Sequence, residues 1–300
     1  MTVDRSLRPE NRTRSYVSRP GIADAAFITL WAVSAVALAF AGDRFDALQG
    51  LVLGAALLVL MALTRRITGQ PRVLASPRNA RIGAGVVLAV VVLTGFDAFG
   101  RPPKLLGWWS FLHGEAALLI ARVVPILDLQ SLDNSVRYVL LPLIVLFALG
   151  WRLRDVGFGP ARRGTLRTAL LWSAPSGLGY VIAAIAIGDH KLALLFQRFL
   201  TDVFRNGYAE EILFRGMLLG VAVRAFGLST GNVVQALVFG AWHLGADLHD
   251  TRGVVWLALA DGIATQAIAG YAFGWLTLRT GNVVAAGAAH TFYDGGAIFV

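Results

Sequence analysis

Ionisable side chains interrupt the apolar C-terminal third of this chain at three places. They are Glu210, Glu211 and Arg215 in NGYAEEILFRG, His243 and Asp247 in LVFGAWHLGAD, and His290 and Asp294 in AAGAAHTFYDGG. Helical spacing divides the first group. Residues four apart share a face, so Glu211 and Arg215 can pair with the acid N-terminal to the base, the preferred order. In a low dielectric such a pair is far cheaper than two lone charges. Glu210 is rotated by about 100° from that face and is presented elsewhere. His290 and Asp294 are again four apart and can act as a unit. A secluded glutamate is a plausible general base near neutral pH, and two histidines can polarise a carbonyl, stabilise an oxyanion or hold a metal.

The elements that must carry these residues are membrane helices. Of 300 residues, 56% are hydrophobic and only 15% are charged, against about 25% charged in an ordinary soluble domain. The apolar excess comes in blocks long enough, or nearly so, to cross a hydrocarbon core of about 30 Å, such as GIADAAFITLWAVSAVALAFA and RIGAGVVLAVVVLTGF. The expected fold is therefore all-α, a polytopic transmembrane bundle of about eight or nine spans, because a barrel would need short alternating segments. Spans are expected near 25–41, 47–64, 82–97, 137–151, 166–187, 193–224, 232–247, 254–278 and 282–299. Residues 98–135 carry His113, Glu115 and Arg122 and are expected to lie in the interface without crossing. That placement puts the loop 152–167 on the same side as the arginine-rich stretch 65–81 and the basic tail 1–20, as the positive-inside rule requires. An integral protein of the plasma (inner) membrane with a cytoplasmic N-terminus follows. The chain divides into that tail, N-terminal membrane helices 21–151 and a core 152–300.

Several function classes fall away. The net charge of +9 is explained by cytoplasmic loops, and no nucleic-acid module accompanies it. The absence of cysteine excludes disulfides, thiolate metal sites and a thiol nucleophile. There is no HExxH helix and no GxSxG setting. The blander alternatives are also defined. A histidine on a membrane helix can simply bond a neighbouring helix, Asp247 reads as part of the polar DLHDTRG turn, and Asp261 reads as packed against a polar neighbour. His113, His190 and His249 read as solvated, and the Trp and Tyr residues near span ends read as interfacial anchors.

Taken together, EEILFRG, VFGAWH and HTFYD resemble the three motifs of the CPBP family, the CAAX proteases and bacteriocin-processing (Abi) enzymes: EExxxR, FxxxH and HxxxN/D on successive helices. The resemblance falls on Glu210, Glu211 and Arg215, on Phe239 and His243, and on His290 and Asp294, and it extends over 152–300. It implies an intramembrane endopeptidase acting on membrane-associated or lipidated proteins, with Glu210 as the base for water. His243, His290 and Asp294 complete the catalytic set, and Glu211, Arg215 and Phe239 support it. The family's asparagine is viewed as part of an oxyanion hole, and an ionised Asp294 cannot donate there. It suits metal binding or histidine orientation better. A zinc ion on Glu210, His243 and His290 is left open. The expected partners are the bilayer and a protein or peptide substrate. Two non-enzymatic readings compete: a membrane scaffold, immunity or regulatory protein of the same fold, and a transporter with a proton relay.

Overall fold

In hydrocarbon, backbone amides and carbonyls have only one another as partners, so long runs of Ala, Leu, Val and Gly close into helices. The computed structural model describes residues 21–71, 77–99, 106–187 and 190–294, and among them there is no strand. The tail 1–20 and the end of the last expected span fall outside these residues, as does the side chain of His190.

The described residues form ten helices: α1 (Ile22–Phe40), α2 (Arg44–Thr64), α3 (Ala80–Ala98), α4 (Gly107–Ala121), α5 (Leu129–Ala148), α6 (Thr165–Ile187), α7 (190–226), α8 (Leu228–Asp250), α9 (255–280) and α10 (Val284–Asp294). Helices α5, α7 and α9 contain π-helical turns at 136–140, 203–207 with 212–218, and 262–267 respectively. Five helices are long and apolar enough to cross a membrane: Ile22–Phe40, Arg44–Thr64, Ala80–Asp97, Leu129–Ala148 and Thr165–Ala186. Helix α8 is as long as any of these, but it carries Asn232, Gln235, His243, Asp247, His249 and Asp250.

Helix α9 is the axis of the core. From Ala267 to Thr280 only Trp275 and Leu278 are less than fully buried. Its small residues let neighbours approach closely, as in membrane helix packing generally. A Cβ at Gly240 of α8 would lie 2.9 Å from the Gly262 carbonyl and 3.0 Å from the Ala267 methyl. Two amides on α8 bond across this seam, Asn232 Nδ2 to the Tyr271 carbonyl and Gln235 Nε2 to that of Gly270, both at 3.0 Å.

One end of the bundle gathers the basic loops. Asn79 Nδ2 donates to the Leu149 carbonyl at 3.1 Å, Arg162 Nη1 to Gln70 and Leu278 carbonyls, and Arg279 Nη1 to Gly69. The stretches 65–71, 149–164 and 278–283 therefore share an end.

Three sequence expectations need correction. Helix α5 begins at Leu129, inside the stretch expected to stay in the interface, so only α4 remains as a short helix there. His113 is not solvated. It is 6% exposed, its Nδ1 lies 2.6 Å from Asp133 Oδ1 and its Nε2 3.6 Å from Asp97 Oδ2, and Arg137 flanks both carboxylates. Trp109, His113 and Ala117, four apart, form the buried face of α4, so one stripe of α4 docks on the bundle while Phe111, Leu118 and Leu119 face outward. Finally, Trp109, Trp151 and Trp242 are buried packing residues rather than anchors. Their indole N–H groups or rings meet polar partners: Asp97, the Arg224 guanidinium and Thr94.

Candidate active site

Helices α7, α8 and α10 bring Glu210, His243, His290 and Asp294 together. The close approach of α7 to α10 depends on two positions without side chains. A Cβ at Gly207 would collide with Thr291, whose Cα is 2.9 Å away, and a Cβ at Gly287 would strike the Tyr208 ring. With those glycines in place, Glu210 Oε2 lies 4.0 Å from His243 Nε2 and 4.0 Å from His290 Nε2. Glu210 makes no hydrogen bond to the described residues, and that gap is the span of one bridging water.

Glu211 points the other way, as the helical spacing required. Its Oε1 lies 2.8 Å from Arg215 Nη1, with both side chains fully buried. It also lies 2.9 Å from His290 Nδ1, so the imidazole N–H donates to it. This second contact was not legible in the motif spacing, because it crosses between α7 and α10. Glu211 is therefore more than a brace for Arg215: it also fixes the orientation of a site histidine.

The FxxxH spacing has a direct physical reason. On α8 the Phe239 carbonyl accepts a hydrogen bond from His243 Nδ1 at 2.9 Å. A carbonyl can only accept, so Nδ1 carries the proton and Nε2 presents a lone pair toward Glu210. The Phe239 ring packs edge-on to His243 at 4.6 Å, and the Arg215 guanidinium lies 4.1 Å over its centre. Phe239 thus separates the buried cation from the site and touches both.

His290 is held on both sides. Its Nδ1 faces Glu211 and its Nε2 lies 3.3 Å from Asp294 Oδ2. Asp294 in turn accepts from Asn206 Nδ2 at 3.5 Å. His243 and Asp294 are the more open members of the group, with side chains 19% and 27% exposed against 7% for Glu210 and His290.

Asn206 and Asp202 were missed by the sequence reading. Asp202 is 7% exposed, and its Oδ2 has no hydrogen-bond partner among the described residues. Asp202, Asn206 and Glu210 are spaced four apart in TDVFRNGYAE, and that regularity was the available signal. Asp247, read as part of a polar turn, is 5% exposed and lies against Gly262, away from Glu210.

The donor set also bears on zinc. Metal-ligating histidines usually have their outer ring nitrogen tied to an acceptor, and here both Nδ1 atoms are tied, to Phe239 and Glu211. The 4.0 Å separations from Glu210 are wider than the about 3.3–3.5 Å between tetrahedral ligands at zinc bond lengths of about 2.0–2.1 Å. Asp294 also faces His290 Nε2. The residue types suit a metal, but among the described residues no group of three acids or histidines is spaced to hold one.

No curated protein and no solved structure matches the chain. Residues 192–296, about a third of the sequence, match the family model described as Rce1-like, type II CAAX prenyl endopeptidase Rce1-like. The matched segment holds every motif residue named above, in accord with the CPBP resemblance.

Proposed function

We propose that this protein is an intramembrane endopeptidase in which Glu210 activates water for attack on a peptide bond of a membrane-associated or lipidated protein. The observation that carries this reading is the placement of Glu210 at 4.0 Å from both histidine Nε2 atoms, with no closer side-chain partner among the described residues. A carboxylate serving only as a strut would be engaged, as Glu211 is at 2.8 and 2.9 Å.

A water in that gap gives one hydrogen to Glu210 and the other to the His243 Nε2 lone pair, which aims the oxygen lone pairs at an incoming carbonyl. Glu210 takes a proton as the water oxygen bonds to the carbonyl carbon, and the carbonyl π pair moves onto oxygen. The oxyanion is stabilised by N–H donors, for which His290 Nε2–H and the Asn206 amide are the nearest candidates. Asn206 thereby supplies a donor that Asp294 cannot. As the carbonyl re-forms, the C–N bond breaks and Glu210 returns its proton to the leaving amine, giving a carboxylic acid and an amine. Asp294 and Glu211 orient His290 throughout. If zinc is bound, Glu210, His243 and His290 would hold it, and it would supply Lewis acidity and an acidified water. In that case the three residues would serve as ligands, and the base, acceptor and donor roles above belong to the metal-free site.

The same reading places the protein in the plasma (inner) membrane with the basic loops and N-terminus inside, and with about eight or nine crossings. Support comes from the shared end of the 65–71, 149–164 and 278–283 segments, where arginines concentrate. The test is Glu210→Gln in purified protein, assayed with a peptide library in detergent. Turnover should be lost while expression and melting stay near wild type. Cleavage that survives the substitution overturns the reading. Lost folding without any cleavage by the wild type would favour a scaffold instead.

A further inference from the structure

Beside Arg215 lies a cavity of about 70 Å³, between the 153–162 loop, the C-terminal half of α7 and the end of α9. This is several times the about 10–15 Å³ that one water needs. Arg154, Arg162, Arg224 and the inner face of Arg215 line it, and Asp155 is the only acid among its lining residues. Four arginines thus meet one acid among the lining residues.

Several of these groups are incompletely satisfied. Thr277 is 6% exposed and lines the cavity, and its hydroxyl has no hydrogen-bond partner among the described residues. Among the described residues, Arg224 Nη2 is buried without a hydrogen-bond partner, as are Nε and Nη2 of Arg215, which is 2% exposed. Buried donors without acceptors are costly, and a set of them around one cavity calls for an anion.

The walls are shaped for this arrangement. A Cβ on Gly220 would lie 3.2 Å from Arg224 Nη2, and one on Gly281 would lie 2.8 Å from Arg162 Nε. Two guanidinium groups thus rest against bare backbone at the cavity wall. Gly281 also has φ +78°, a conformation that side chains seldom adopt.

We propose that this cavity binds a phosphate group, either the headgroup of an anionic lipid or a free phosphate. Fork-shaped guanidinium groups suit phosphate oxygens, and the Thr277 hydroxyl adds a further donor. The cavity opens at the end of the bundle that gathers the basic loops, where anionic headgroups concentrate if that end is cytoplasmic. Binding stands independently of the peptidase reading. Its consequence for catalysis rests on that reading. A phosphate here would share the Arg215 guanidinium with Glu211 and so bear on the Arg215–Glu211–His290 chain.

The experiment uses the full-length protein in a neutral detergent. Melting is followed while inorganic phosphate, short-chain phosphatidylglycerol or short-chain phosphatidylcholine is titrated at fixed ionic strength with chloride. Saturable stabilisation by phosphate or phosphatidylglycerol, but not phosphatidylcholine, is expected. Stabilisation by inorganic phosphate identifies free phosphate as sufficient, and stabilisation by phosphatidylglycerol alone identifies a lipid headgroup. Arg224→Gln should weaken binding at least about tenfold, the loss expected for one charge-assisted hydrogen bond. If that variant fails to fold, Arg154→Gln and Thr277→Val serve, and each should weaken binding severalfold. Equal stabilisation by all three additives, no stabilisation by any, or unchanged affinity in the variants overturns the proposal. Glu210→Gln protein should bind as wild type does, so a failed peptidase reading leaves this result intact.

Discussion

Arg215→Ala tests the buried polar chain most sharply. The substitution strands Glu211, whose side chain is fully buried, and removing one partner of a buried pair costs about 3–5 kcal/mol. The His290 N–H at 2.9 Å remains to satisfy one carboxylate oxygen, which pulls the cost toward the lower figure. Loss of the guanidinium from the Phe239 face, at 4.1 Å, adds about 1–2 kcal/mol. The net expectation is about 4 kcal/mol. At roughly 2 °C per kcal/mol for a chain of this size, melting in detergent should fall by roughly 8 °C. Glu211→Gln with Arg215→Met removes both charges, keeps an acceptor for His290 and fills the space, so it should recover about half of the loss. The assay is a thermal melt of the two single variants and the double, read as a coupling energy. If Arg215→Ala melts within about 1 °C of wild type, or if the two changes simply add, the pair does not hold α7 as described.

Three further outcomes are expected. Asp294→Asn keeps a hydrogen-bonding group beside His290 but removes its charge. It should lower kcat by less than the about 100-fold typical of losing a proton-transfer group and leave KM unchanged, whereas Glu210→Gln should abolish turnover. For His113, burial opposes the charged ring, but its hydrogen bond to the Asp133 carboxylate and the nearby Asp97 carboxylate outweigh it and raise its pKa from 6.5 to about 9. The stabilisation is therefore complete below pH 6.5 and lost as pH rises through about 9. A melt series from acid to alkaline pH should show that decline in wild type and a flatter profile in His113→Asn. Because the chain has no cysteine, Arg163→Cys and Ala41→Cys report topology directly. Impermeant maleimide on intact cells should label the second and spare the first, and the reverse would invert the orientation.

The helices and the motif residues were legible because each depends on local pattern. Apolar runs fix where a helix must form, and fourfold spacing fixes which neighbours on one helix can meet, hence Glu211 with Arg215. What was not legible depends on contacts between helices. Glu211 reaches His290, 79 residues further along the chain, across two helices. Asp97, Asp133 and Arg137 made His113 a buried residue, and no feature of LLGWWSFLHGEAALLIARVV pointed to those partners. Helix α5 starts early because Leu129–Ser135 continues into the apolar run without a break, with Asp128 capping it through Ser131. Charge arguments weigh whole segments and do not resolve such a boundary. Asn206 lies in the middle of a long helix, and the one signal it carries is its spacing of four from Glu210.

The glycine contacts between α7 and α10 have a consequence for how this protein can vary. The separation across which a proton would move is gauged by Gly207 and Gly287, positions that carry no reactive atom. A single added methyl at either would push two helices apart while every acid, base and donor kept its identity. Such a variant would present as a catalytic lesion in a protein whose chemistry is intact. A survey of natural or engineered variants that scored only the polar residues would assign the fault to the wrong place.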